Sequence, residues 1–290
     1  MMTDYLNQIL QGLLLGGYYA LIGSGLAFMF NVMGVINLAH GSLVILTAFL
    51  LFSLADRLGI QPSMGVIAVM PIVAALSAAL QRFVFDKSPR GNLLVPVLAS
   101  FGLSIVSDNL LFQIYGADTK SLAPFEGSLS YDSWSLSDDI DIGKFAVFTF
   151  LIALVFLGSL QLLLRHTHLG RAIRATAIDA DTAGLVGIDA GRNKAAAAAL
   201  ASVGVCLAAF ALGVRATFDP YAGAPQLLFA FEATVIGGAS LWGTLFGGIA
   251  LGIAQSLGSL FNPQGFLIAG HVVFLGFLFA RLWLRAASRR

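Results

Sequence analysis

Charge is what this sequence lacks most. Of its 290 residues only 11% are Asp, Glu, Lys or Arg, whereas 58% are hydrophobic and the mean hydropathy is +0.88. A soluble domain carries about 25% charged residues, so a water-solvated globule is excluded and lipid is the expected solvent for most of the chain. Cysteine is nearly absent too: Cys206 is the one thiol, which excludes an internal disulfide and a cysteine-based metal centre. A net charge of +1, with no basic run interleaved with aromatics, offers nucleic acid nothing to hold. No G-x-x-x-x-G-K-[ST] loop is present to cradle nucleotide phosphates. No Ser-His-Asp or paired-carboxylate arrangement stands out, so the expectation is that the chain is not an enzyme, with no catalytic residues and no metal site. The opening MMTDYLNQIL lacks the basic region and cleavage site of a secretory signal and reads as the start of a first span.

What the chain has is apolar runs. They fall at 6–30, 40–55, 63–85, 93–115, 145–164, 195–216, 226–241, 243–261 and 265–284. About 20 apolar residues cross a bilayer core as a helix, and only helices or closed barrels satisfy the backbone there. The fold class expected is all-α, a polytopic transmembrane helix bundle of about 8–9 spans forming a single domain over residues 1–290. The runs at 40–55 and 226–241 are short and broken by small residues, so some spans are expected to be discontinuous or re-entrant.

Two polar segments interrupt the apolar pattern. The island at 165–194 carries Arg165, Arg171, Arg174, Arg192 and Lys194. The loop at 116–143 carries Asp118, Glu126, Asp132, Asp138, Asp139 and Asp141. One topology collects twelve of the sixteen basic residues on one side, adding Arg82, Lys87 and Arg90 and the tail residues Arg281, Arg285, Arg289 and Arg290 to the island. Arg57, Lys120, Lys144 and Arg215 remain opposite. Basic loops stay in the cytoplasm, so the N-terminus is expected outside, the C-terminus inside and loop 116–143 extracytoplasmic, as a mobile lid, a docking surface or a solvated connector. Within the island, Asp179 and Asp181 precede a short run with Ala183, Gly184 and Leu185 that Gly187 stops. A short helix of this kind suits a groove on another protein, and an ordinary charged loop is the competing reading.

Glycines stand four apart at Gly12 and Gly16, Gly243 and Gly247, and Gly248 and Gly252, a spacing that lets helices approach closely in lipid. G-x-L-x-G-G occurs at Gly12 and again at Gly243, a faint hint of an internal repeat. Carboxylates inside spans are costly and face the bundle interior or a wet path. Asp108, beside Ser104, Ser107 and Asn109, and Glu232 are therefore candidates to contact a cargo ammonium group, or to pair with an arginine. His40 is placed at a cytoplasmic turn, where it hydrogen-bonds the backbone of a helix start while Asn31 and Asn37 satisfy the neighbouring turn. Arg215 reads as a snorkelling residue near a helix end, and His271 shows no partner in sequence.

Three segments resemble one family in chain order. GRAIRATAIDADTAGLVGID is similar to the cytoplasmic coupling loop of permease subunits of bacterial branched-chain amino acid ABC importers. GLLLGGYYALIGSGLAFMFNVMGVINLAHGS resembles that family's first helix and its I-N-x-A-H-G signature at Ile36, Asn37, Ala39, His40 and Gly41. FEATVIGGASLWGTLFGGIALGIAQSLG resembles its glycine-rich segment. The resemblance implies a permease in the bacterial cytoplasmic (inner) membrane, paired with a second homologous permease subunit. It would be fed by an extracytoplasmic binding protein and driven by two ABC ATPase subunits. No cofactor would bind this chain; ATP and Mg would belong to the partners. The resemblance makes Asp179 to Ile188 the helix that docks on an ATPase, with Asp179, Asp181, Ala183, Gly184, Leu185 and Gly187 as coupling residues. Asn37, His40, Asp108, Asn109, Glu232 and Gly238 are the translocation-path candidates. Three departures stand out: Asp108 where an uncharged polar residue is expected, Glu232 where relatives carry a small or apolar one, and the tail RLWLRAASRR. Cargo stays open between branched-chain amino acids and urea, short amides or another small polar molecule. A secondary transporter using Asp108 or Glu232 as proton carrier is the further alternative.

Overall fold

The structure is a computed structural model that describes residues 2–34, 36–87, 94–137 and 140–287. Arg90, Asp138, Asp139, Arg289 and Arg290, which entered the charge argument, lie outside the described residues. Helix α1 spans Met2–Met33, α2 His40–Leu58, α3 Pro62–Leu80 and α4 Leu94–Tyr115. Two single-turn helices, α5 (Ala123–Glu126) and α6 (Ser128–Tyr131), lead into a hairpin of β1 (Ser133–Ser137) and β2 (Ile140–Gly143). Then follow α7 (Lys144–His166), α8 (His168–Ile178), α9 (Ala180–Leu185) and α10 (Ala190–Arg215). The chain continues through α11 (Gly223–Ile236) and α12 (Leu241–Ser259) to α13 (Gly265–Ala287).

Among the described residues, eight helices are long and apolar enough to cross a membrane, and α11, of 14 residues, is not. At 1.5 Å per residue α11 reaches about 21 Å against a core of about 30 Å. The run at 226–241 is thus a short helix, as its breaks imply. The run at 40–55 is instead a continuous helix of 19 residues, stopped by Gly59 in the left-handed conformation at φ 64°. What re-enters is its entry: His40 Nε2 lies 2.8 Å from the carbonyl of Ile22, midway along α1.

α1 and α10 are the buried axis of the bundle, whereas α4 and α13 lie at its periphery. α1 packs most extensively on α12, and glycine makes that possible. A Cβ on Gly252 would sit 2.3 Å from the Gly12 carbonyl oxygen, and one on Gly16 2.5 Å from the Ile249 Cα. Backbones this close supply the dispersion contacts that replace the hydrophobic effect in lipid. Gly41 meets Gly223 in the same way, locking the start of α2 against the start of α11.

The described part of the 116–143 loop is tied to the bundle at several points. Lys120 and Phe218 exchange both backbone hydrogen bonds, at 2.8 and 2.9 Å. Buried Glu126 accepts from the Ser63 N–H at 3.1 Å and from Gln61 Nε2 at 3.3 Å. Gln11 Nε2 donates to the Asp141 carbonyl at 2.7 Å, placing the start of α1 beside the hairpin. At the other end, Arg281 of α13 and Asn31 of α1 wall one cavity. The chain therefore begins at the end that bears the hairpin and finishes at the opposite end.

Candidate functional site

The polar island folds into an elbow. Thr167 caps α8, accepting the Gly170 N–H at 3.0 Å, and Gly170 allows the turn because a Cβ there would lie 2.3 Å from the Leu163 carbonyl. α8 buries Gly170, Ile173 and Thr176 against the bundle and exposes Arg171 and Arg174. Asp179 then caps α9, its Oδ1 accepting from the N–H groups of Asp181 at 3.0 Å and Thr182 at 3.1 Å. The Thr182 hydroxyl donates to Oδ2 at 2.5 Å. These bonds, the hydroxyl first, favour the charged carboxylate and hold Asp179 below the usual carboxylate range. α9 stops as its glycine predicts. Ile188 N–H reaches the Ala183 carbonyl at 3.0 Å and Gly187 N–H the Gly184 carbonyl at 3.1 Å, with Gly187 at φ 83°.

The six coupling candidates thus share one small unit, but only part of it faces outward. The helix itself is Ala180–Leu185, shorter than the 179–188 stretch drawn from the resemblance. Ala183 is buried and anchors it, Gly184 has open space around its Cβ position, and Leu185 is 87% exposed. Ile178 and Val186, outside the six coupling candidates, are exposed as well, at 87% and 74%. Their signal was visible: unburied aliphatics inside an otherwise charged island.

The path candidates do not converge. Asn37 Oδ1 accepts the Ala39 N–H at 3.0 Å at the entry to α2. His40 follows the turn at 38–39 as the first residue of α2 and is buried, with Gly41 packed closely on Gly223. Its expected bond to backbone is present, to the Ile22 carbonyl of α1. Asn31 Nδ2 donates to the Ala239 carbonyl, reaching beyond its own turn to the one after α11. Asp108 on α4 faces the Ser42 hydroxyl of α2. Asn109 points elsewhere, exposed and donating to the Ile105 carbonyl of its own helix at 2.8 Å. Glu232 is 1% exposed, and its Oε1 lies 2.5 Å from Nδ1 of His271 on α13. The pairing of His271 was invisible along the chain because 39 residues separate the partners. Gly238, at φ 66°, forms the exposed turn between α11 and α12.

Arg215 is exposed at the end of α10. Its guanidinium carbon lies 5.6 Å from the centre of the Tyr18 ring, and the buried Tyr18 hydroxyl donates to Gln226 of α11. Beside it opens a cavity of about 360 Å³ between α1, α7, α10, α12 and the start of α13. Among the described residues no group of three or more His, Cys, Asp or Glu is arranged to hold a metal ion.

Apolar helices around a buried axis, with a capped polar elbow projecting from one end, define a polytopic membrane permease subunit. The chain belongs to the family of the branched-chain amino acid transport system, permease component, whose profile matches residues 8–281. It is 28% identical over 272 residues to the high-affinity branched-chain amino acid transport system permease protein BraD of Pseudomonas aeruginosa, covering 90% of this chain and 88% of that one. It is 27% identical over 286 residues to the probable branched-chain amino acid transport permease protein LivH of Methanocaldococcus jannaschii, covering 95% and 90%. LivH of Escherichia coli K12 is 26% identical over 267 residues, covering 89% and 87%. Among solved structures, PsaBC from Streptococcus pneumoniae in complex with Fab superposes with a TM-score of 0.52 at 11% identity, over 96% of this chain and 95% of that one. That likeness speaks for the fold alone. The family resemblance carried by the three sequence segments is borne out. The chain is a multi-pass membrane protein and a transport subunit rather than an enzyme, one component of a larger transport system.

Proposed function

We propose that this chain is the membrane-spanning subunit of an ATP-driven importer that passes branched-chain or related amino acids from an extracytoplasmic binding protein to the cytoplasm. The observation that carries the reading is the elbow. Three exposed aliphatics flank or end the capped helix α9, Ile178 before its cap Asp179, Leu185 at its last turn and Val186 just after it, at the end where α13 finishes. Exposed apolar side chains on a structured polar segment are stable when a partner groove covers them. Two ATPase subunits, each closing on ATP and Mg, would supply that groove and swing the elbow, which is continuous with α7 and α10. A second homologous permease subunit would complete the path. The hairpin end would face the binding protein, with the N-terminus outside and the C-terminus in the cytoplasm of a bacterial inner membrane.

The test is co-purification from the native membrane in mild detergent, followed by reconstitution and uptake of radiolabelled L-leucine. Recovery of two ATPases and a second permease, with uptake that needs ATP and the binding protein, is the expected result. A chain that purifies alone and transports under a proton gradient would overturn the reading in favour of a secondary transporter. Uptake of urea or short amides without L-leucine would keep the machine and change its cargo.

A further inference from the structure

We infer that Arg215 holds the carboxylate of an amino-acid cargo in the cavity between α1, α7, α10, α12 and the start of α13. The inference rests on the importer reading above and deepens it, because it assigns a place in this chain to one chemical group of the cargo.

The cavity lies at the hairpin end of the molecule, with Ser130 and Gly143 on its rim. Its volume of about 360 Å³ falls at the small end of the range of about 300–1,000 Å³ found for small-molecule sites. One wall is apolar, made by Leu14, Phe145, Val214 and Phe266. Amide and hydroxyl side chains make up the rest of the lining, and among the described residues that line it there is one cation, Arg215, and no carboxylate. Arg215 takes part in no ion pair among the described residues. A guanidinium presents five N–H donors in a planar fork that matches a carboxylate in two parallel hydrogen bonds. Arg215 is itself exposed, and its orientation is biased by the Tyr18 ring, which the cation faces at 5.6 Å and which is tied to Gln226. Orientation before binding lowers the entropic cost of capture.

The remaining groups suit the rest of the molecule. Gln11 spends its amide N–H on the Asp141 carbonyl, which leaves its side-chain oxygen as an acceptor, and Gln8 lies beside it. Amide oxygens accept from an ammonium group without adding charge, so a zwitterion is held by one full charge and two dipoles. The apolar wall takes a branched aliphatic side chain. Urea and neutral amides have no carboxylate for Arg215, so the site discriminates between the cargo classes that sequence left open.

The same geometry ties the site to the moving parts. Tyr18 lies between the guanidinium and Gln226, one hydrogen bond from α11, the helix too short to cross the membrane. A carboxylate that draws Arg215 away from the ring changes what holds Tyr18, and with it the anchor of α11.

The experiment is equilibrium binding of radiolabelled L-leucine to the assembled transporter in nanodiscs, without binding protein, for wild type, Arg215→Gln and Arg215→Lys. The expected result is binding by wild type that L-isoleucine displaces and L-leucinamide does not, with affinity lowered at least about 30-fold in Arg215→Gln, the worth of a charged hydrogen bond or more. Arg215→Lys, which keeps the charge but loses the fork, should lie between them. Size-exclusion profiles check assembly, and if Arg215→Gln fails to assemble, the Lys variant and the leucinamide competition still decide. Equal affinity in wild type and Arg215→Lys together with displacement by leucinamide, or no binding by wild type, would overturn the inference. Loss of binding-protein docking by Arg215→Gln with L-leucine affinity unchanged would overturn it as well, assigning the cation to an acidic partner surface. Uptake separates the two levels: a wild-type complex that imports urea but not L-leucine refutes the cargo reading itself. L-leucine import that is identical in wild type and Arg215→Gln, with unchanged binding, refutes only the site.

Discussion

Glu232 and His271 join the short α11 to the peripheral α13 through a contact of 2.5 Å. One partner is sealed in the bundle at 1% side-chain exposure and the other reaches it from a helix that is otherwise mostly uncovered. Removing one member of a fully buried pair is costly, whereas replacing both with apolar groups is often near neutral; with His271 38% exposed, the loss here is smaller than for a sealed pair. Glu232→Leu should therefore lower the melting temperature of the detergent-solubilised protein, and adding His271→Leu should recover most of the loss. A double variant no better than the single one would show that the contact does not hold α13.

The seam between α1 and α12 tolerates no side chain at its centre. Gly252→Val sets a branched Cβ 2.3 Å from the Gly12 carbonyl, where only backbone can give way. Overpacking costs about 1–3 kcal/mol where side chains can shift, and this site should sit at or above that range. Expression and melting temperature are the readouts. Gly276→Ala, with nothing within 4 Å of its Cβ position, is the matched control and should be neutral or slightly stabilising.

Asp179 links the elbow to pH. Its carboxylate is held below the ordinary range in the folded state, so its support for α9 is complete above the unfolded carboxylate pKa and is lost as pH falls through the lower folded value. Association of the ATPase with the reconstituted permease should thus weaken on acidification below the ordinary carboxylate range. Asp179→Asn, which still caps but does not titrate, should flatten that dependence.

Gly184 stands in open space on the exposed side of α9. Gly184→Ala should leave folding and transport unchanged, while Gly184→Trp should fold normally and still break contact with the ATPase. The expected signature is a drop of about tenfold or more in transport at unchanged basal ATP hydrolysis, equivalent to about 1.4 kcal/mol of coupling. Unchanged uptake in the Trp variant would exclude this face from docking.

Sidedness can be read with thiol labelling, because Cys206 is 0% exposed and gives a silent background. Tyr131→Cys near the hairpin should react with an impermeant maleimide from outside the cell. Ile178→Cys on the elbow should react only after permeabilisation. The opposite pattern would invert the topology.

Much of this architecture is written in local chemistry. The apolar runs fix which segments enter lipid, since no other environment accepts 20 such residues in a row. The glycines mark the α1–α12 seam, and Gly187 marks the stop of α9, because both effects depend on a missing Cβ. Asp179 as a helix cap is equally local. The sequence also separates the polar island from the acidic loop, and the fold does put them at opposite ends.

What only tertiary structure decides is who meets whom across many residues. Nothing along the chain couples Glu232 to His271, sets Arg215 over Tyr18, or pins Lys120 to Phe218. His40 is buried against α1, and Gly41 beside it packs on Gly223, in a distant part of the chain. The polar residues singled out one by one therefore scatter over the bundle, and the cavity beside Arg215 emerges where α1, α7, α10, α12 and α13 meet. Hydropathy and caps act within a turn or a span of helix and can be read in order; pairing depends on which faces the packed helices turn to one another, and that is settled by the fit of all of them at once.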